Sequence, residues 1–183
     1  MKKVNSDRVV SISAILVSIA TLIMILYQTN LMRKEQKASV MPSLVIGYSV
    51  NEHNNEITEK IWLSNRGLGP AFIEGIVIID KEKVYETDPF GYLVQTNANE
   101  GTKTVNRLYP GRIVPAKDGV ELYVKQIDST SRIIISNLFE FPYDIQNMPT
   151  DNKEKLIIEI IYRSIYDDKW KIRSDMSSPV EVD

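Results

Sequence analysis

Few residues in this chain have the types and spacing to do chemistry, and each has a competing structural use. His53 is the only histidine and lies in the polar run Asn51-Glu52-His53-Asn54-Asn55-Glu56. An imidazole could serve as base for a nucleophilic serine, but base and nucleophile must lie within hydrogen-bond reach, and no serine shares a motif with His53. The run reads as a solvated loop between strands. Cysteine is absent, which removes thiol nucleophiles, disulfides, thiolate zinc sites and a lipid-attachment cysteine together. One histidine without cysteine makes zinc a poor fit as well. Asp167 and Asp168 are adjacent carboxylates that could act as an acid-base pair or hold Ca²⁺. They also have the composition of a tight turn between two strands. Gly67 and Gly69 are spaced like part of a phosphate-cradling loop. Such a loop needs a Lys-Ser/Thr pair opening a helix, and the dinucleotide fingerprint needs a third glycine in a βαβ setting. Here Pro70-Ala71-Phe72 follows and begins a strand. The expectation is a non-enzyme with no catalytic, metal-binding or cofactor-binding residues.

Composition narrows the class further. With 183 residues, the chain has room for one anchor and one domain of the commonest size. Lys and Arg number 22 against 24 Asp and Glu, a net charge of -2. No basic surplus points to nucleic acid as a partner. A cysteine-free domain suits a reducing or an oxidising compartment equally, so redox logic does not place it.

The remaining residues are organised around an anchor. Residues 9–32 carry no charge and open VVSISAILVSIATLIMILY. A helix rises about 1.5 Å per residue and the hydrocarbon core is roughly 30 Å thick, so about 20 apolar residues span it. The sequence predicts a transmembrane α-helix over 9–32, after a short basic tail over 1–8. A cleaved signal peptide would need small residues directly after the apolar core, whereas Tyr27-Gln28-Thr29-Asn30 and the charged Arg33-Lys34-Glu35 follow. Lys2, Lys3 and Arg8 precede the span and Arg33, Lys34 and Lys37 come after it. This near balance leaves the side of the soluble domain open.

Residues 33–41 form a juxtamembrane stalk, helical for one or two turns until Pro42 stops it, with Arg33, Lys34 and Lys37 as interfacial anchors at the headgroups. Within the span, Ser11, Ala14, Ser18 and Thr21 recur at steps of 3, 4 and 3 and form a seam of small residues. Such a seam lets two helix backbones approach closely in lipid. Its hydroxyls can equally bond back to their own helix.

Beyond Pro42 the periodicity turns to β. Residues 43–50, 60–64 and 71–79 read as strands, followed by a turn at 80–83 and a short strand at 84–86. An irregular stretch around Asp88-Pro89 and Gly91 then tucks Phe90, Tyr92 and Leu93 toward the core, and 96–102 is a surface loop. Residues 104–108 and 113–114 are short strands around a turn at Tyr109-Pro110-Gly111. Residues 120–125 alternate as a half-buried strand, with Val120, Leu122 and Val124 on one face and Glu121, Tyr123 and Lys125 on the other. Residues 128–139 suit a short helix or a strand, and 141–152 a connection. A terminal hairpin pairs 155–166 with 169–173 across Asp167-Asp168. It places Leu156, Ile158, Ile160 and Tyr162 on one face, Ile157, Ile161 and Ile165 on the other, and Trp170 and Ile172 on the neighbouring strand.

Asn65-Arg66-Gly67-Leu68-Gly69-Pro70-Ala71 reads as a structural turn in which Asn65, Gly67 and Gly69 supply positive φ and Pro70 fixes the start of the next strand. This phrase resembles the N-x-G-x-G-P-A junction of Ig-like sandwich modules in bacterial surface and membrane proteins. Taken with the anchor, the basic segment, MPSL, LSNRGLGPA and the YRSIYDDKW hairpin, the chain resembles small single-pass bacterial membrane proteins of unassigned activity. The resemblance implies placement in a bacterial inner membrane and transfers no site residues. Over 42–183 the fold expectation is one mainly β domain, an antiparallel β-sandwich (Ig-like) or a small β-barrel.

Two functions fit. In the first, the β domain is an interaction module that docks a protein partner or builds a homo-oligomer at the lipid bilayer. In the second, it is a ligand sensor that holds a small molecule among Trp62, Tyr92, Tyr109 and Tyr123 and signals through helix association. The first is preferred, because those aromatics serve equally well as core and cross-strand packing.

Overall fold

The computed structural model describes residues 6–53, 56–96, 102–128, 138–141 and 155–182. The chain divides into two compact units, Met1–Ser39 and Val40–Asp183.

The first unit holds one uninterrupted helix of 34 residues, α1 (Ser6–Ser39). No glycine or proline interrupts it. Asp7 in its first turn and Lys37 in its last complement the helix dipole. The helix overruns 9–32 at both ends, and its continuation past the apolar run reaches Ser39, three residues short of Pro42. Ile12, Leu16, Ile19, Leu22 and Ile23 are all exposed, whereas a helix of a globular core hides its apolar stripe.

The second unit is mainly β. Its elements in chain order are β1 (Leu44–His53), β2 (Glu56–Asn65), β3 (Ala71–Asp80), β4 (Lys83–Tyr85), α2 (Pro89–Gln95), β5 (Thr102–Val105), β6 (Ile113–Val114), β7 (Gly119–Asp128), β8 (Ile157–Arg163), β9 (Lys169–Arg173) and β10 (Val180–Val182). They form two sheets whose strands pair antiparallel, one in the order β1-β2-β7-β5 and one in the order β10-β9-β8-β3-β4, with β6 also on β3. Outside the named strands, Phe139 makes a parallel bridge to Leu156.

Both sheets contribute to one core. Leu44, Ile46, Ile61, Leu63 and Leu122 come from the first sheet, and Ile73, Ile78, Ile158, Ile160, Tyr162 and Ile172 from the second. Tyr162 Oη on β8 accepts a hydrogen bond from Leu44 N–H on β1 at 3.3 Å. Its burial pushes the phenol up to about 12, with that bond pulling the other way. As the sequence predicts, β8 lies inside its sheet and pairs Ile160 with Ile172 and Tyr162 with Trp170.

Four local expectations are corrected. The stretch after Asp88 is a helix rather than irregular chain. Asp88 caps α2 by accepting from Gly91 N–H at 2.9 Å, and Pro89 opens its first turn, where a missing N–H costs nothing. Residues 120–125 do not alternate. A bulge shifts the register between Ile61 and Trp62, so Leu122, Tyr123, Val124 and Lys125 are all buried. The terminal hairpin turns early. Ser164 Oγ accepts from Tyr166 N–H at 3.0 Å and ends the strand at Arg163, which leaves Ile165 exposed rather than in the core. Finally, β5 covers Thr102–Val105, and Leu108 is buried outside any strand.

The ambiguous stretch 128–139 and the connection 141–152 fall largely outside the described residues, as does most of the 96–102 loop.

Candidate functional site

The phrase Asn65 to Ala71 is where chain exit, turn and sheet meet, and its chemistry differs from that expected of a positive-φ turn. Asn65 is fully buried at the end of β2. Its Oδ1 accepts from Ser43 N–H at 3.1 Å and Gly67 N–H at 3.0 Å, and its Nδ2 donates to Gly69 O at 2.8 Å and Val114 O at 3.1 Å. A carboxamide offers two donors and one acceptor oxygen, and all are in use. The loop backbone adds Arg66 N–H to Ser43 O at 2.8 Å and Leu68 N–H to Met41 O at 3.0 Å. Residues 41–43, which lead into β1, are therefore clamped by this loop.

Neither Gly67 nor Gly69 has positive φ; among the described glycines only Gly111 does, at 90°. The two glycines are needed for a different reason. A Cβ on Gly69 would lie 1.7 Å from Val40 O, and one on Gly67 would lie 2.4 Å from Met41 O and Ser43 N. Close backbone approach fixes these positions, and β3 starts directly after Pro70.

The seam residues Ser11, Ala14, Ser18 and Thr21 lie exposed on α1. Ser11 Oγ donates to Asp7 O, Ser18 Oγ to Ala14 O and Thr21 Oγ1 to Val17 O, each at 2.8 Å. The hydroxyls thus bond back to their own helix, and what the seam offers a neighbour is small volume. Arg33, Lys34 and Lys37 are exposed in the last turns of α1.

The residues that could do chemistry are far apart in the fold. His53 ends β1 opposite Glu56 and is exposed, in a strand rather than a loop. Asp167 takes φ 63° in the β8–β9 turn and pairs with Arg163 at 2.5 Å. Among the described residues, no three His, Asp or Glu side chains gather where they could hold a metal ion.

Of the four aromatics considered for a ligand pocket, three pack at separate places and the fourth is exposed. Trp62 lies over Gly47 on the neighbouring strand, where even a methyl group would collide with its ring. Tyr92 meets Tyr85 edge-on at 5.1 Å, Tyr123 sits 6.4 Å from Phe90, and Tyr109 is exposed. Tyr92 and Tyr123 both have raised pKa values, chiefly from burial. An open depression of about 580 Å³ sits at the β3–β4 turn, and its described lining is Asp80, Lys81, Glu82 and Lys83. None of the four aromatics is among them.

Two buried polar centres escape the sequence reading. Asp88, besides capping α2, accepts from Arg107 Nε at 2.6 Å and Leu108 N–H at 3.1 Å. An Asp-Pro pair is itself a helix-start signal. Glu59 on β2 is fully buried directly across from buried Lys125 on β7, and it accepts from Tyr48 Oη at 2.5 Å. Its signal was parity, because Glu59 shares the strand face of Ile61 and Leu63. Buried in this way, Glu59 meets no substrate from solvent, and its part is to pair polar groups inside the sheet.

No protein-family model, curated protein or solved structure matches this chain.

Proposed function

We propose that the protein is a membrane-anchored, non-catalytic interaction module. In this reading α1 spans a bacterial inner membrane, and the β unit is an Ig-like sandwich that docks a protein partner or joins further copies of itself. The observation that carries it is α1, whose stretch Asp7–Ser39 is long and apolar enough to cross a membrane and has none of its apolar window buried. An exposed apolar cylinder of that length has no stable place in water. The two sheets around one core support the sandwich, and the clamp at Asn65 holds residues 41–43 to the β2–β3 loop.

The small side chains at Ala14 and Ser18 provide the close-approach face for a partner helix. Alkaline washing of membranes tests the anchor, and the full chain is expected to stay with the lipid. Crosslinking of the detergent-solubilised chain tests assembly. A specific oligomer or stoichiometric complex that weakens in Ala14→Ile/Ser18→Ile is the expected result. A monomer unaffected by those changes overturns the association reading.

A further inference from the structure

We infer that the end of the β unit at which the chain arrives from α1 is a bilayer-docking surface, an inference that rests on α1 being a membrane span. Only residues 40–43 separate the last residue of α1 from the first of β1. The topology gathers three turns at this same end. The loop after β2 bonds to residues 41–43, and Asn65 N–H donates to Asp118 O in the turn before β7 at 2.8 Å. The β8–β9 turn joins them, because Tyr162, near the end of β8, receives Leu44 N–H.

The side chains at the tips of these turns are unusual. Met41 is 40%, Leu68 58%, Ile165 47% and Tyr166 43% exposed. Turn tips in water are normally Gly, Pro, Asn, Asp or Ser, each for a backbone reason. Here four large apolar groups project from the chain exit and two separate turns, and none is spent on the core.

Among the described residues, the two turns at the opposite end of the β unit are polar, although Val84 in the adjoining strand β4 is exposed. His53 and Glu56 close β1 and β2, and Asp80, Lys81, Glu82 and Lys83 form the β3–β4 turn. Among the described turn tips, the large apolar side chains lie at the end whose chain leads back to α1.

A lipid surface fits this end better than water or a soluble ligand. Tyrosine favours the headgroup region, as Tyr166 would there. Exposed Arg66 and Lys117 supply cations for lipid phosphates. Asp118, Asp167, Asp168 and Glu181 lie toward the same end; Asp167 pairs with Arg163 and Asp118 accepts from Gly119 N–H. Residues 33–39 add about 10 Å of helix beyond the apolar run, comparable to the roughly 5–8 Å headgroup layer of one leaflet. Average helix tilts of about 20° shorten that reach further.

Because the chain has no cysteine, single-cysteine labelling tests this on the full-length protein reconstituted in vesicles of mixed neutral and anionic phospholipid. An environment-sensitive fluorophore is placed in turn at Leu68→Cys, Ile165→Cys, Val84→Cys on exposed β4 at the far end, and Leu22→Cys within α1. Expected is several-fold stronger quenching by lipid-borne spin labels at 68 and 165 than at 84, with the reverse order for aqueous iodide. Free access of iodide at 68 and 165, with Leu22→Cys lipid-buried, overturns the docking surface and leaves the anchor standing. Protection from iodide without lipid quenching means a protein covers this end, which also overturns it. An iodide-accessible Leu22→Cys overturns the anchor itself.

Discussion

Leucine and isoleucine do opposite things in the two units. Along α1 they point outward at Ile12, Leu16 and Ile23, whereas in the β unit Ile61, Leu63 and Ile158 are wholly buried. The same transfer free energy, roughly 25 cal/mol per Å² of apolar surface, drives both arrangements. What differs is the medium that takes up the surface. In the β unit the second sheet takes it up, and along α1 the proposed bilayer or a partner helix within it would. The contrast teaches that a mutation's effect should depend on which medium its side chain meets.

The largest effect is expected in the core, where Ile158→Ala should cost about 4 kcal/mol by removing methyl groups and leaving a cavity. The readout is denaturant unfolding of the full chain in detergent, and a loss under 1 kcal/mol would break the contrast. Next comes Leu22→Lys, which places a charge in mid-span at about 3 kcal/mol of insertion free energy. Alkaline extraction should release this variant from membranes while the melting temperature of the β unit stays unchanged.

Asn65→Ala sharpens the comparison from the polar side. It strips partners from two N–H groups and two carbonyls, for an expected loss of about 3 kcal/mol in the β unit. Below it, two glycines separate two mechanisms. Gly69→Ala meets Val40 O and should cost about 2 kcal/mol. Gly111→Ala has open space at φ 90° and should cost about 1 kcal/mol from backbone strain alone. The reverse order in thermal denaturation would show that conformation, not close approach, governs the Asn65 loop.

The smallest change is Tyr162→Phe, about 1 kcal/mol at neutral pH, because Leu44 N–H loses its acceptor. This phenol titrates near 12 when folded against 10 ordinarily. Its neutral form therefore favours the folded chain fully below pH 10, and that contribution fades as the pH rises toward 12. Melting temperature should fall less steeply above pH 10 in Tyr162→Phe than in the parent.

Much of the fold was legible wherever one periodicity ruled a segment without competition. The apolar run of α1, the alternation over 43–50 in β1, and the two-sided apolar character of β8 are such cases. Legibility failed where a single side chain overrode the period. A carboxylate at Asp88 started a helix, and a hydroxyl at Ser164 ended a strand early. Leu122, left without a register partner between Glu121 and Tyr123, turned a half-buried strand into a buried one. At the candidate site the sequence located the Asn-Gly phrase and misjudged its physics. The steric limit on Gly69 comes from Val40, 29 positions earlier, and no local pattern reports a contact made through the fold.

The pairing of β3 with β8 sets a schedule for synthesis. Phe72 pairs with Arg163 and Ile79 with Ile157, so each residue of β3 leaves the ribosome about 80 to 90 residues before its partner. At about 5–20 residues per second, a strand with Ile73, Ile76 and Ile78 destined for the core waits several seconds without its long partner β8, holding only the short strands β4 and β6, while the hairpin of β1 and β2 can close at once. With α1 as the proposed anchor, the upstream helix would already be lodged in the bilayer by then. Nascent chains would meet only as fast as lateral diffusion allows, and the half-made sheet would ripen under confinement to the membrane plane.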